Sequence, residues 1–303
     1  MSASAGTGSG RVSVPATSAN LGPGFDALGL ALGQRDHLEA RVLQDGPSRV
    51  DVEGEGATTL PRDERHLVLR TVRTGFEAMG LPVPAVHLRC RNRIPHARGL
   101  GSSSAAIVAG LGVARALVED GAERLDDGAL LSLAATLEGH PDNVAPALLG
   151  GFVVAGHDDG AWWAVPAPVD PRISAVALVP PEPVETEVAR GLLPALVAHA
   201  DAAADAGRTP LLVAALAGQV EQLLRGTRDH LHQEHRRPAM PDTLDLVDAL
   251  RADGVAALVS GAGPTVLALV VDDRAADEVL RRVPRGWRGT HLAVEAEGLR
   301  LEV

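Results

Sequence analysis

Lysine is absent from the 303 residues, so all 28 basic side chains are arginine. Any phosphate chemistry must then run on guanidinium groups, backbone N–H groups or a metal ion. Aromatic residues make up only 2% against 46% hydrophobic residues overall, which leaves Ala, Val and Leu to build the core. The single cysteine, Cys90, excludes a disulfide framework or a multi-cysteine zinc site and reads as a small buried hydrophobe. A net charge of −11 argues against a surface that tracks nucleic-acid phosphates. The N-terminal stretch has neither a basic nor an apolar signal region. The most membrane-like run, Val255 to Val271, is broken by Ser260-Gly-Ala-Gly-Pro264 and reads as two buried strands about a turn. A soluble cytoplasmic protein with no nucleic-acid or membrane partner is the expectation.

Against these absences stands one chemically suggestive stretch, Ile94-Pro-His-Ala-Arg-Gly-Leu-Gly-Ser-Ser-Ser-Ala-Ala106. The turn from Gly99 to Ser104 runs into an apolar segment that reads as a central buried helix. N–H groups at a helix start have no intrahelical partner and face the positive end of the dipole, so the turn can hold an anion. Gly99 and Gly101 permit close approach to phosphate oxygens, and Ser102, Ser103 and Ser104 can cap the helix, bind phosphate or ligate Mg²⁺. No Gly-Lys-Ser/Thr follows, which excludes the common P-loop.

Residues 1–10 are low in complexity and read as a disordered tail, with order beginning near Arg11 in an alternating strand, Val12-Ser-Val14. Pro15-Ala-Thr-Ser-Ala-Asn20-Leu-Gly-Pro-Gly-Phe-Asp26 lacks periodicity and reads as a shaped loop, where Asn20 and Asp26 are either turn caps or site residues. Strands are expected between Gly29 and Val52, a helix over 65–80, a strand from Val86, and a helix from Gly128 to Leu137. That last helix ends in Glu138-Gly-His-Pro-Asp142-Asn143. A carboxylate at a helix C-terminus opposes the dipole by about 0.3–1 kcal/mol, so Glu138 is either a metal ligand or solvated surface charge. Texture changes near 160–171, which suggests one domain over 11–165 and a second over 166–303. The latter carries helices over 187–193, 210–224, 243–252 and 275–282 around strands at 173–179, 255–259, 265–271 and 291–295. Ser260-Gly-Ala-Gly-Pro-Thr265 joins two apolar strands through a close approach of ligand or backbone. His230-Leu-His232-Gln-Glu-His235 fits no common zinc spacing and reads as a polar helix surface.

Together and in this order, the segments Pro15–Asp26, Pro95–Ala105 and Ser260–Thr265 resemble the three motifs of the GHMP kinase family, over residues 11–303. The first motif, with Glu138-Gly-His-Pro-Asp142-Asn143-Val-Ala-Pro, is similar to the homoserine kinase branch. The resemblance implies an α+β fold with a ribosomal protein S5-like N-terminal domain and a ferredoxin-like C-terminal domain. It implies that Pro95, Arg98, Gly99, Leu100, Gly101 and Ser102–Ser104 wrap the ATP phosphates, and that Ser103 and Glu138 hold Mg²⁺. Gly261, Gly263 and Thr265 form the third motif.

The amino group of L-homoserine would meet Asp26, helped by Asn20, with His140 and Thr186 also at the substrate. Its carboxylate would meet Arg190 and either Arg236 or the adjacent Arg237, because His235 stands where the family usually has an aromatic. Asn143 stands where mevalonate kinase has an aspartate, and an amide cannot accept the hydroxyl proton. Asn143 would therefore orient the hydroxyl, with Asp142 or His140 as the weaker alternatives for a base. The implied reaction is ATP-dependent phosphorylation of L-homoserine to O-phospho-L-homoserine in threonine biosynthesis. A mevalonate-type kinase and a non-catalytic ligand sensor are the rivals. The family often forms homodimers, the one protein partner the resemblance suggests.

Overall fold

The computed structural model describes residues 8–302. The chain opens with strands β1 (Ser9–Ala19), β2 (Leu28–Val42) and β3 (Arg49–Gly54), helix α1 (Leu67–Ala78) and strand β4 (Val86–Asn92). Helices α2 (Ser102–Ala116), α3 (Gly121–Arg124), α4 (Asp127–Glu138) and α5 (Val144–Leu149) precede strands β5 (Phe152–Asp158) and β6 (Ala161–Ala167). Strand β7 (Ser174–Val179) leads to helices α6 (Thr186–Gly191), α7 (His199–Leu216) and α8 (Leu223–Gly226), then a 3-10 segment, Glu234–Ala239. Helix α9 (Pro241–Ala252), strands β8 (Ala256–Val259) and β9 (Val266–Val270), helix α10 (Asp273–Leu280) and strands β10 (Arg288–Ala293) and β11 (Arg300–Glu302) complete it.

Two sheets organise these elements. The first has the order β11-β1-β2-β4-β3, with β5 and β6 added beside the other half of β2. It is antiparallel except for β3 and β4, which run parallel and are joined through α1, the long crossover that parallel pairing requires. The second sheet is antiparallel, in the order β10-β7-β9-β8. The last strand, β11, returns to pair with β1, so a single cut near residue 165 leaves one strand of the first sheet in the second part of the chain.

Helix α2 is buried along most of its length and packs on α1, β1 and α4. Its lack of aromatics and its glycines allow this crowding: a Cβ on Gly110 would lie 1.8 Å from Thr71 Oγ1 of α1. Cys90 is buried in the core of the first sheet, and burial pushes its thiol up to about 12, so it remains a neutral hydrophobe.

Four local expectations are corrected. Of the expected tail, residues 1–7 lie outside the described residues, but Ser9 and Gly10 belong to β1, paired with Arg41 and Ala40. The stretch Pro15–Ala19 is strand rather than loop. It is buried on both faces, which removes the alternation that would have betrayed it. The helix expected to start at Pro210 starts at His199 and encloses that proline. The Ala-rich turns before it carry the helical propensity, and Gly218 at φ 138° follows its end. The histidine run is not one polar helix surface: His232 is fully buried before the 3-10 segment, which carries the exposed His235.

Candidate active site

The three glycine-rich segments meet at the N-terminus of α2. Gly101 sits at φ 68° as its N-cap and supplies no side chain, so the three serines occupy the first turn. They do not cap it. Ser103 and Ser104 instead donate to Glu138 Oε1, at 2.5 and 2.8 Å. Glu138 closes α4, where Gly139 at φ 89° ends the helix. The acidic residue that opposes the α4 dipole is thus turned onto the positive end of α2, which offsets the local penalty.

The glycines serve the protein's own packing first. A Cβ on Gly99 would fall 2.2 Å from the Ser260 carbonyl oxygen, and one on Gly101 would fall 2.0 Å from Thr17 Oγ1. Ser260 Oγ bonds Gly99 O at 2.6 Å and Ser18 Oγ at 2.8 Å, Gly261 N donates to Ala19 O, and Thr265 N donates to Arg98 O. The close approach at the third motif is therefore backbone against backbone. Arg98 bonds the carbonyls of His96, Pro180 and Pro181, tying the loop to the segment after β7.

Beside this junction lies a cleft of about 570 Å³. Arg98, Gly99, Gly101, Ser102 and Ser103 line one side, whereas Pro95, Leu100, Ser104, Gly263 and Thr265 stand behind it. Glu138, His140, Asp142 and Asn143 line another side. Asn143 Oδ1 accepts from Thr17 Oγ1 at 2.8 Å, and its Nδ2 group has no acceptor among the described residues. His140 Nδ1 is 2.6 Å from Asp142 Oδ1. Burial alone would lower the His140 pKa, but its bond to the Asp142 carboxylate raises it above the ordinary imidazole value.

Opposite these, Thr186 is exposed at the rim and Arg190 reaches in from α6. Arg190 grips Asp26 with both nitrogens, at 2.6 and 3.2 Å. Asn20 has both polar atoms engaged: Nδ2 donates to Gly261 O at 3.0 Å and Oδ1 accepts from Asp26 N at 2.9 Å. It thus acts as a turn cap that holds Asp26 against the third motif. Asp26 sits at φ 54°, a strained conformation that this cap supports.

Arg236 is buried yet lines the cleft. Its Nη1 donates to His232 Nδ1 and to Gly261 O, each at 2.9 Å, while its Nε is buried with no partner among the described residues. Burial, and then the Arg190 cation, pull its pKa down to about 10, so it stays charged at neutral pH. The neighbouring Arg237 points away and pairs with Glu234, Asp245 and Asp248 at the surface.

Three contributors were invisible in the residue pattern. Thr17 is buried mid-strand, and its only signal is a hydroxyl inside an otherwise apolar run. Phe25 lies under both guanidinium groups, with Arg190 Cζ 5.5 Å and Arg236 Cζ 5.8 Å from its centroid. His232 backs Arg236 and drew attention only as a poor metal ligand.

Residues 66–151 match the GHMP kinases N terminal domain and residues 211–289 match the GHMP kinases C terminal domain. The homoserine kinase of Streptomyces avermitilis is 55% identical over 288 residues, covering 95% of this chain and 94% of that one. The chain belongs to the GHMP kinase family, among its homoserine kinases. The homoserine kinase of Clavibacter michiganensis subsp. michiganensis is 46% identical and covers 97% of this GHMP kinase and 94% of its own length. A solved homoserine kinase from Cytophaga hutchinsonii superposes with a TM-score of 0.85 at 28% identity, covering 98% of both chains. Mevalonate diphosphate decarboxylase from Staphylococcus aureus has the same fold, with a TM-score of 0.70 at 17% identity over 97% of this chain and 98% of its own. No helix among the described residues of this GHMP kinase is long and apolar enough to cross a membrane.

Proposed function

We propose that this cleft phosphorylates the side-chain hydroxyl of L-homoserine with ATP, giving O-phospho-L-homoserine and ADP for threonine biosynthesis. The carrying observation is the charge pattern opposite the phosphate loop: Asp26 and Arg190 pair with each other, and Arg236 holds a buried Nε with no partner among the described residues. A zwitterion matches it, with its ammonium at Asp26 and its carboxylate on the Arg190 and Arg236 guanidinium groups. Two arginines facing one carboxylate account for the crowding of cations that Phe25 tempers.

The triphosphate lies along Gly99, Gly101, Ser102 and Ser103, where N–H groups and the α2 dipole replace the absent lysine. An apolar pocket of about 240 Å³ opens on the other flank of the same serines, between Leu38, Leu60, Val68 and Ala105, and takes the base. His66 lines it with a buried Nε2 that has no partner among the described residues. Its Nδ1 accepts from Val68 N, and burial lowers its pKa to about 4, so Nε2 carries the proton and can donate to a ring nitrogen.

Glu138 Oε1 and Ser103 Oγ are hard oxygen donors 2.5 Å apart beside the phosphate loop, a set that fits Mg²⁺ bound mainly through phosphates and water. That ion would neutralise charge on the transferring phosphoryl group. The substrate hydroxyl oxygen bonds to the γ-phosphorus as the β–γ bridging bond breaks toward ADP, in line. Asn143, braced by Thr17, directs its Nδ2 group at the reacting oxygens. The bonded pair His140–Asp142 is the acceptor for the hydroxyl proton.

A screen of L-homoserine, mevalonate and galactose with ATP and Mg²⁺ tests this reading. Product from homoserine alone is expected. Mevalonate carries a carboxylate but no amine, so its turnover without homoserine turnover refutes the assignment of Asp26. Tight binding of ATP and homoserine without product would instead favour a ligand sensor.

A further inference from the structure

Arg236 is gripped by the protein at one end only. The two Nη1 hydrogens go to His232 Nδ1 and Gly261 O, and Nε is buried, so among the described residues Nη2 is the nitrogen left without a protein partner for a ligand carboxylate to meet. What fixes the guanidinium at the cleft is the imidazole bonded to it. A guanidinium has no acceptor, so Nδ1 of His232 must be bare and its proton must sit on Nε2. There it donates to Gly22 O at 2.8 Å. The ring is fully buried and packs on Phe25 at 5.3 Å between centroids. Asp229 accepts the backbone N–H groups of Leu231, His232 and Gln233 and so sets the turn that aims the ring.

We infer that His232 is a positioning residue for substrate recognition: a neutral, Nε2-protonated imidazole that clamps Arg236 Nη1 and leaves Nη2 to meet the carboxylate of the amino-acid substrate. This rests on the reading above that Arg236 binds that carboxylate. The motif Asp229-His-Leu-His232-Gln-Glu-His-Arg236 thereby carries specificity through a residue that never touches substrate.

Two substitutions separate the two bonds of the ring. In His232→Asn the amide oxygen stands near the Nδ1 position and keeps an acceptor for Arg236. In His232→Gln the amide nitrogen stands near Nε2 and keeps only the donor to Gly22. Steady-state kinetics are compared for L-homoserine and for 3-amino-1-propanol, which has the hydroxyl and ammonium but no carboxylate. His232→Gln should raise the homoserine KM about 10- to 100-fold, the range for a hydrogen bond to a charged group, and His232→Asn by less than about threefold. The ATP KM and the relative kcat/KM for 3-amino-1-propanol should follow neither change.

Equal penalties in both variants, or the same penalty on both acceptors, overturn the inference in favour of plain packing. Arg236→Gln distinguishes the two levels. If it leaves the homoserine KM at the wild-type value, the carboxylate reading itself fails; if it raises the KM while His232→Gln does not, only the role of His232 fails. Should a variant not fold, ¹⁵N shifts of the wild-type imidazole still decide. A bare Nδ1 with a protonated Nε2 is expected, and an Nδ1–H or doubly protonated ring overturns the clamp.

Discussion

Gly101→Ala tests how the phosphate loop and Asn143 are held in register. The new Cβ would stand 2.0 Å from Thr17 Oγ1 and 3.0 Å from Asn143 Oδ1, at a backbone φ of 68°. Thr17 is fully buried in strand β1, paired with β2, and cannot withdraw, so the α2 N-terminus must move or the Thr17–Asn143 bond must break. The left-handed conformation, the overlap and the lost hydrogen bond together should destabilise the fold by about 4 kcal/mol. For a chain of this size that is a fall in Tm of about 10 °C. Displacing Asn143 by even a fraction of an ångström should also lower kcat, by up to about 100-fold. Thr17→Ala removes the obstructing hydroxyl, at its own expense of about 1–2 kcal/mol for the unpaired Asn143 oxygen. In the double variant the nearest atoms are Asn143 Oδ1 at 3.0 Å and the Cβ retained from Thr17 at 3.2 Å, tight contacts that a shift of a few tenths of an ångström relieves, so mainly the backbone strain and the lost bond remain. Thermal and denaturant unfolding of both single variants and the double should therefore show coupling of about 1–3 kcal/mol. Additivity within about 0.5 kcal/mol would refute the steric account of this glycine.

Three further outcomes are expected. Glu138→Gln should raise the Mg²⁺ concentration needed for half-maximal rate with little change in Tm, read from initial rates over a Mg²⁺ titration; an unchanged titration removes Glu138 from the metal site. Asp26→Asn frees Arg190 from its bidentate partner and should raise the homoserine KM about tenfold or more while leaving the ATP KM nearly unchanged. Acid stability should depend on two opposed groups in the base pocket. Burial holds His66 at about 4 when folded against 6.5 in the unfolded chain, so its contribution is present above pH 6.5 and lost as pH falls toward 4, about 3 kcal/mol in full. Burial raises Asp36 to about 6 from 3.8, although Arg93 N and Ile94 N donate to it, so its penalty exists above pH 6 and is relieved on acidification by a similar amount. The two nearly cancel between pH 6 and 4. Asp36→Asn should unmask the His66 loss as a steeper fall of Tm over that range, and a slope like the wild type's would contradict it.

The sequence carried the α+β class, most element positions and the three glycine-rich segments, because periodicity and turn chemistry are local properties. It also marked Glu138, since a carboxylate at a helix end breaks a rule that can be read without coordinates. What it could not decide was which neighbour each group would meet. Gly99 and Gly101 are demanded by Ser260 and Thr17, which come from opposite ends of the chain, and not by phosphate alone. The three serines were candidate caps until α4 brought Glu138 to them. Asn20 read as a turn cap or a ligand group, and both ends of its amide lie on backbone. Arg236 and Arg237 are adjacent and chemically identical in sequence. Only burial against His232 and Gly261, with Arg237 drawn to three surface carboxylates, tells them apart. Local pattern follows from backbone geometry within a few residues, whereas a site is made by contacts between segments up to 242 positions apart, which tertiary packing alone sets.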